Sequence, residues 1–415
     1  MRILHVVHQF PPEHIGGTEF HTQWLAKAQK GQGHDVAVFH RRSGDGEGMK
    51  AHEMDSVLIY SAWSGPMTPN NRFRATFGEQ ALSTQFSQAL IEFKPDLVHF
   101  QHIMGLPHSL GAQVQRLGIP YLVTIYDYFY FCANAQLLTN YDDSLCNGPR
   151  AFVNCARCAI SRAGRPHAFV AVPPLVPVLG WRNHRLKRFL QGAKQFIVPT
   201  QFVRDVYARR GLPDEKMHVI PYGIELPDPE DVAQLGEKRP FSPPLQVAYI
   251  GGISPQKGID VLVTAVAKLP PSQINCTIYG DLTGFPDYVN KMLEDLPANI
   301  TFAGRLPRPV LWQTLHQTDI VVVPALWHET SSIIIDEAHV MNVPVIASKL
   351  GGMSEKIRHG ENGFHLTPGD VDELTSHLQT LINSPALLAE FSLNTPVVPT
   401  QQQILDLISA VYQKI

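Results

Sequence analysis

Two glutamates in the second half of the chain have the residue type and spacing of a polar ligand site. Glu329 and Glu337 follow Ile320–Pro324, an apolar run typical of a buried strand. On an ideal helix eight positions turn through roughly 800 degrees, which leaves the two side chains about 80 degrees apart. The pair can hold two ends of one ligand if Glu329 lies in the loop after the strand and Glu337 on the helix beyond it. The alternative is a capped surface helix with two unrelated acids.

Three hydroxyl residues stand between the two glutamates. Thr330, Ser331 and Ser332 are of the types preferred at the N-cap of a helix. A helix N-terminus also attracts phosphate, because its first amides have no partner within the helix. We therefore expect these residues to cap the helix and to line a site for an anionic ligand.

A glycine-rich loop with a lysine is the second candidate for ligand binding. Gly251 and Gly252 follow the predicted strand Gln246–Ile250 and lead to Lys257. Glycine lets the backbone approach a ligand closely, and the lysine adds a full positive charge suited to a diphosphate.

Two further glycine pairs follow other predicted strands. Gly16 and Gly17 come after the first strand, and Gly351 and Gly352 come after Val343–Ala347. Each loop alone is weak evidence, since any turn between a strand and a helix favours glycine. Because ligands of parallel sheets bind beyond the carboxyl ends of the strands, the loops together predict one ligand site.

Strand-like runs alternate with helical stretches along the chain, which is typical of parallel sheets covered on both faces. The predicted strands are Ile3–Val7, Val36–His40, Leu97–Gln101, Tyr121–Ile125, Phe196–Pro199, His218–Pro221, Gln246–Ile250, Cys276–Tyr279, Ile300–Phe302, Ile320–Pro324 and Val343–Ala347. A segment rich in proline and charge, 226–244, reads as a linker. We predict an α/β protein with two doubly wound, Rossmann-like domains, 1–225 and 245–390, facing each other across a cleft.

Length and composition agree with two globular domains. The chain has 415 residues, of which 44% are apolar and 17% charged. A net charge of −3 gives no reason to expect a nucleic-acid partner. The N-terminus lacks the features of a signal peptide, and no apolar run approaches the roughly 20 residues that span a bilayer. We therefore expect a cytoplasmic protein.

Four cysteines fall close together in a segment, about 126–160, that is longer than a simple connection needs. Cys132, Cys146, Cys155 and Cys158 could hold a structural zinc ion, since four thiolates bind zinc tetrahedrally. The alternative is a cluster of thiols without metal, because only the last two form a Cys-x-x-Cys pair.

The following segment leaves two interpretations open. Three prolines in 168–179 argue against an ordinary helix there, and a cluster of aromatic and basic side chains follows. The cluster comprises Trp181, Arg182, Arg185, Lys187, Arg188 and Phe189. It could contact the inner face of an anionic membrane peripherally, or it could belong to an amphipathic helix packed on the first domain.

With these residues in place, the chain resembles the GT-B glycosyltransferases of family 4 over nearly its whole length. The resemblance rests on short motifs spread along the sequence. These are Gly16-Gly17, His34-Asp35-Val36, Pro199 to Val203, Val219 to Ile224, Gly251 to Gly258, Ala303-Gly304-Arg305, Glu329 to Glu337, and Gly360 to Phe364. The family also implies that the C-terminal segment 391–415 ends in a helix, Gln402–Lys414, that returns to the first domain.

The resemblance implies transfer of a sugar from a nucleotide diphosphate sugar, with retained anomeric configuration and no metal required for catalysis. Carried onto this sequence, Glu337 would bind the ribose hydroxyls and Glu329 would face the donor sugar. Lys257 and the backbone of Gly251 and Gly252 would hold the diphosphate. Fixed donors around a departing diphosphate stabilise its developing charge.

Some positions depart from the family pattern or have an open role. Many relatives have arginine where Gly252 stands, and histidine where Tyr126 precedes Asp127. A phenol can still donate a hydrogen bond to a sugar hydroxyl or a phosphate. Tyr126 and Asp127, together with Glu329, are the predicted catalytic groups. Arg305 is either a donor-site residue or half of a structural salt bridge.

Two histidines, His102 and His108, are candidates for contact with the acceptor, although a surface or capping role is the alternative for each. We expect the acceptor to be a glycan, a lipid-linked sugar or a small molecule bound by the first domain. The rival functions are a nucleotide-sugar epimerase on the same scaffold and a non-catalytic subunit that keeps the fold.

Overall fold

A computed structural model describes residues 1–13, 16–44, 46–66 and 68–415. The chain divides into two compact units. Unit 1 comprises Met1–Gly223 together with Gln401–Ile415, and unit 2 comprises Ile224–Thr400. Each unit contains one mainly parallel sheet with helices, so the predicted α/β class is confirmed.

Unit 1 is built on an eight-stranded sheet with the order β3-β4-β2-β1-β5-β6-β7-β8. Its strands are β1 Arg2–Val7, β2 Asp35–Arg42, β3 Met49–Met54, β4 Val57–Trp63, β5 Leu97–Phe100, β6 Tyr121–Thr124, β7 Phe196–Val198 and β8 Met217–Val219. Neighbouring strands are parallel except β3, which pairs antiparallel with β4. Parallel strands buried on both faces explain the apolar runs at the sheet centre.

Eight α-helices belong to the described part of unit 1. They are α1 Gly17–Gly31, α2 Pro69–Phe77, α3 Gln80–Phe93, α4 Leu110–Arg116, α5 Val153–Arg162, α6 Val172–Gly192, α7 Gln201–Ala208 and, after unit 2, the C-terminal α15 Gln401–Tyr412, with a 3₁₀ turn at Phe169–Ala171. The C-terminal helix is held by its apolar face, which buries Ile404 and Ile408. The hydroxyl of Tyr412 also lies 2.8 Å from Nδ1 of His99 in β5.

Unit 2 has a six-stranded parallel sheet with the order β11-β10-β9-β12-β13-β14. Its strands are β9 Leu245–Ile250, β10 Ile274–Tyr279, β11 Ile300–Gly304, β12 Ile320–Val323, β13 Val345–Ser348 and β14 Gly363–Leu366. Its helices are α8 Pro229–Gln234, α9 Ile259–Ala267, α10 Pro286–Leu293, α11 Leu311–His316, α12 Ile333–Val340, α13 Val371–Asn383 and α14 Pro385–Leu393. The short helix α8 lies inside the predicted linker.

The prediction that prolines prevent an ordinary helix over 168–179 is wrong. Helix α6 runs for 21 residues from Val172 and contains Pro177 in its interior. Pro173 and Pro174 fall in the first turn, where an amide would have no partner within the helix in any case. Only Pro177 removes an interior hydrogen bond. None of the helices in the described ranges is long and apolar enough to cross a membrane.

Buried histidines in unit 1 predict that acid destabilises the protein. Burial lowers the pKa of His5 to about 4 and that of His21 to about 3. The unfolded chain takes up protons near pH 6.5, whereas the folded state resists them, so stability falls as the pH drops below about 6.5. We expect the free energy of unfolding, measured with urea at pH 7, 6 and 5, to decrease stepwise. In a His5→Gln variant the slope between pH 6 and 5 should be smaller by about 1.4 kcal/mol per pH unit. An unchanged slope would contradict the role of His5.

Candidate functional site

The two glutamates lie where the sequence predicts, one in a loop and one on a helix. Glu329 is in the loop after β12, and Glu337 is on α12. Their exposed fractions are only 8% and 5%. Burial of both carboxylates excludes the alternative of two acids on a surface helix.

Glu329 and Lys257 form an ion pair through Oε1 and Nζ. The same carboxylate oxygen accepts a hydrogen bond of 3.0 Å from Nε1 of Trp327, and the lysine nitrogen lies 5.4 Å from the centre of that indole ring. The three side chains therefore bring a carboxylate, an ammonium group and an aromatic surface together. Trp327 was not among the predicted site residues, although its position two residues before Glu329 is a signal for it.

Glu337 is paired with an arginine that the sequence did not indicate. Nη1 of Arg308 donates to Oε1 of Glu337. Burial raises the pKa of Glu337, and the arginine opposes this effect. Arg308 is itself 42% exposed at its side chain, so it can move away from the carboxylate without being buried unpaired. This carboxylate is therefore able to exchange its protein partner for ligand hydroxyls.

The predicted N-cap role of the hydroxyls is wrong. Ser332 precedes α12 with φ of +59°, and its side chain makes no capping hydrogen bond. Instead, Nζ of Lys356 donates to Oγ of Ser331 at 3.0 Å and to Oδ2 of Asp336 at 2.6 Å. Nζ of Lys356 also donates to the carbonyl oxygen of Ser332 at 3.3 Å, so a lysine from a later segment stabilises this turn. Thr330 is buried beside it.

Close backbone approaches fix the loop that carries Glu329. Gly351 has φ of +60°, and a Cβ added there would lie 2.2 Å from the carbonyl oxygen of Glu329. The amide of Gly352 donates to that same oxygen at 2.7 Å. Gly258, with φ of +68°, would place a Cβ 2.1 Å from the carbonyl oxygen of Pro324. Only glycine fits these two positions, and both hold the strand-end loops together.

The loop after β9 is exposed at both glycines. A Cβ on Gly252 would meet no heavy atom within 4 Å, so the backbone there is open to a ligand and has room for a side chain. The carbonyl oxygen of Gly252 accepts a hydrogen bond of 2.6 Å from Tyr249. Arg305, which follows β11, pairs with Asp281 at 2.7 Å and is 69% exposed. This agrees with the structural salt bridge as the role of Arg305.

In unit 1, Asp127 forms a second polar cluster with His102. Oδ2 of Asp127 lies 3.2 Å from Nε2 of the imidazole, and Oδ1 accepts the amide of Phe129 at 2.8 Å. Nδ1 of His102 accepts the amide of Met104 at 3.2 Å, so the ring proton is on Nε2 and is donated to the carboxylate. His102 is only 2% exposed, which excludes the surface role.

Tyr126 is committed to a buried network, which argues against its predicted contact with a ligand. Its hydroxyl donates to Oε1 of Gln101 at 2.7 Å and contacts Nδ1 of His21. The ring stacks on Tyr222 with centroids 5.0 Å apart. Burial raises the pKa of this phenol well above its ordinary value. A phenol has one proton, and Tyr126 donates it inside the protein.

The remaining unit 1 candidates lie at element ends. Gly16 is the N-cap of α1 and Gly17 its first residue, with extended backbone at Gly16. The preceding residues 14 and 15 of this loop lie outside the described residues. Nδ1 of His108 lies 2.7 Å from the carbonyl oxygen of Thr76, which is the capping type of contact rather than a ligand contact.

The zinc prediction is not confirmed. In the part of the chain that the structure describes, no group of three or more His, Cys, Asp or Glu side chains is arranged to hold a metal ion. Cys132, Cys146, Cys155 and Cys158 do line one cavity. Burial raises the pKa of the Cys155 thiol to about 12 and also raises that of Cys158.

The aromatic and basic cluster that was a candidate for membrane contact has one half facing inward and one half facing outward. Arg182 and Phe189 are buried on the inner face of α6, which leaves them unable to touch a membrane. Trp181 is 45% exposed and stacks on Phe77 with centroids 4.7 Å apart. The packed amphipathic helix therefore accounts for the inward half of the cluster, and the outward half remains exposed.

Comparisons with known proteins cover both units. Residues 15–227 match the family described as Glycosyltransferase Family 4, and residues 234–397 match the family described as Glycosyl transferases group 1. A glycogen synthase of Mycobacterium tuberculosis is 23% identical over 403 residues, covering 93% of this chain and 87% of that protein.

Two solved structures share the fold over the whole chain. HepE from Anabaena, in complex with UDP and glucose, has a TM-score of 0.65 and 21% identity, covering 100% of this chain and 98% of that chain. Sucrose-phosphate synthase from Thermosynechococcus elongatus has a TM-score of 0.71 and 19% identity, covering 99% and 98%. At these identities the likeness shows the fold.

Proposed function

Because the chain belongs to glycosyltransferase family 4 and has the GT-B fold, we propose that it transfers a sugar from a nucleotide diphosphate sugar to an acceptor, with retained anomeric configuration. The observation that carries this proposal is the buried carboxylate pair of unit 2, Glu329 and Glu337, each matched to a cation that a ligand can displace. A non-catalytic subunit would have no need to keep two buried charges.

The donor binds to unit 2. Glu337 accepts hydrogen bonds from the two ribose hydroxyls, and the diphosphate draws Lys257 away from Glu329. The freed carboxylate then faces the hydroxyls of the donor sugar. The exposed backbone of Gly251 and Gly252, with open space beside Gly252, lets the phosphate oxygens approach closely. UDP-glucose is the first donor to test, because HepE was solved with UDP and glucose.

The transfer step needs no enzymic nucleophile and no metal. The hydroxyl oxygen of the acceptor bonds to the anomeric carbon on the face from which the diphosphate leaves. The bond between that carbon and the phosphate oxygen breaks, and the hydroxyl proton passes to the departing oxygen. Lys257 stabilises the negative charge that grows on the diphosphate, which is the main electrostatic contribution. In unit 1, Asp127 orients the acceptor and is itself oriented by His102.

We test this function by incubating the protein with UDP-glucose and other nucleotide sugars, alone and with glycan or lipid-linked acceptors. The expected result is release of nucleoside diphosphate that increases when an acceptor is added, with an α-linked product from an α-linked donor by NMR. An epimerised sugar without acceptor would contradict the proposal, and so would failure of every donor to bind in calorimetry. We propose that the protein acts in polysaccharide or glycoconjugate biosynthesis, in the cytoplasm or at the inner membrane face. The identity of the acceptor decides between these pathways and locations.

Structural zinc stays a separate prediction for the four clustered cysteines. Protein purified without chelator should contain about one zinc per chain by elemental analysis, and a Cys155→Ser, Cys158→Ser double variant should contain none. Cys276→Ser is the matched control, since Cys276 is a buried core residue of β10. Metal-free wild-type protein with full stability would contradict the prediction.

A further inference from the structure

The cysteine-containing segment encloses a cavity that the transfer mechanism does not use. It has a volume of about 430 Å³, within the range of small-molecule sites. Its inner wall is apolar and buried, with Phe129, Leu138, Ile160 and Leu179. Its rim includes the exposed turn after α5, so the cavity reaches the surface.

The charges around the cavity are all positive. Arg72, Arg162, Arg165 and Arg182 line it, and its described lining contains no aspartate or glutamate. None of these four arginines forms an ion pair with a carboxylate within the described ranges. Carboxylates and amides recognise sugar hydroxyls, whereas guanidinium groups recognise phosphates. The lining therefore favours an apolar ligand that carries phosphate.

Arg182 is the sharpest of these observations. It is 1% exposed, donates to the carbonyl oxygen of Phe129 at 2.9 Å, and lies with its guanidinium 4.5 Å from the centre of that ring. Burial lowers its pKa to about 10. No carboxylate of the described ranges pairs directly with this guanidinium, so an anion in the cavity would offset part of the cost of burying it.

Arg72 adds an unsatisfied donor. Its Nε is buried and has no hydrogen-bond partner in the part of the chain described. Burial lowers the pKa of this side chain, and so does the neighbouring positive charge of Arg162. Arg72 and Arg162 both line the cavity beside its apolar wall, and guanidinium groups are the side chains best suited to bind a phosphate there.

The surface around the cavity mouth is apolar and basic. Phe169 and Val170 in the adjoining 3₁₀ turn are 57% and 88% exposed. The chain contains no acidic residue between Asp143 and Asp205, whereas lysine and arginine recur throughout that stretch. Such a surface suits the headgroup region of an anionic bilayer, where a lipid could enter the cavity.

We propose that this cavity binds the phosphorylated end of a lipid-linked acceptor, with the apolar chain along the inner wall and the phosphate at Arg72 and Arg162. This inference rests on the proposed transferase function and specifies its acceptor class. The cavity also reaches Phe129, whose amide holds Asp127, so the sugar attached to the phosphate would lie near the Asp127 carboxylate.

The test uses farnesyl phosphate as the probe, titrated into the intact protein by calorimetry below its micellar concentration. We expect it to bind at least about tenfold more tightly than inorganic phosphate or farnesol, because each of those makes only half of the contacts. Arg72→Met and Arg162→Ala should each weaken its binding by about tenfold, and Ala163→Trp should block the rim without changing charge. Arg116→Ala, which removes an exposed arginine elsewhere in unit 1, is the matched control.

Equal affinities for farnesyl phosphate and inorganic phosphate would overturn the proposal. Unchanged affinity in both arginine variants would also overturn it, even if the protein still bound anionic vesicles. UDP-glucose is titrated into the same preparation. If the nucleotide sugar binds and farnesyl phosphate does not, the acceptor class is wrong and the transferase function stands. If the nucleotide sugar does not bind, the transferase function itself fails.

Discussion

Glu337→Ala is expected to weaken binding of the donor nucleotide by about 100-fold while the protein stays folded. Two hydrogen bonds from ribose hydroxyls to a buried carboxylate are lost, and bonds to charged groups contribute about 1.5–3 kcal/mol each. The substitution also removes the partner of Arg308. Because that arginine is 42% exposed, water can solvate it, and the cost to stability should stay below about 2 kcal/mol.

Calorimetry with UDP and urea unfolding measure the two effects separately. Asp372→Ala is the matched control, since it also removes a carboxylate from an ion pair of unit 2, with Lys268 at 2.6 Å, but on an exposed surface. It should leave UDP affinity unchanged. If Glu337→Ala binds UDP as tightly as Asp372→Ala does, then Glu337 does not contact the nucleotide.

The sequence predicted those features that depend on local pattern. All eleven predicted strands occur, within about two residues at either end, because central parallel strands are continuous apolar runs. Glu329 and Glu337 could be assigned to a loop and a helix because a strand ending before them leaves room for a turn. The cavity-lining cysteines could be grouped because they are close in sequence.

Features set by tertiary contacts were missed. Strand β3 was not predicted because its residues 50–53 are exposed on both faces and show no alternation of apolar and polar side chains. β14 is four residues long and begins at Gly363. Such edge strands carry little apolar signal, since only one neighbour pairs with them.

The partners of several side chains were also not predicted, because only tertiary contacts bring them together. Arg308 meets Glu337 across 29 positions, and His21 meets Tyr126 across 105. Neither distance has a sequence signature, because the fold alone brings these groups together. The N-cap prediction failed because φ at Ser332, which is +59°, is decided by the packing of the loop rather than by residue type.

Gly351→Ala is expected to reduce kcat/KM by about 100-fold, since displacement of a catalytic group by about 1 Å is sufficient for such a loss. The added methyl would stand 2.2 Å from the carbonyl oxygen and 2.9 Å from the amide nitrogen of Glu329, so the loop must move. The hydrogen bond from Gly352 to that carbonyl would be stretched or lost. Glu337 is held by α12 rather than by this loop, so UDP affinity should change less than about threefold.

The matched control for this substitution is Gly360→Ala, because it separates backbone strain from the clash. Gly360 also has a positive φ, of +81°, but a Cβ there meets no heavy atom within 4 Å. Both variants should lose about 1 kcal/mol of stability from the left-handed backbone, and only Gly351→Ala should also lose activity. Steady-state kinetics, UDP calorimetry and urea unfolding on both proteins decide the matter. Equal activity in the two variants would mean that the position of Glu329 does not limit the reaction, and the assignment of that carboxylate to the donor sugar would then be withdrawn.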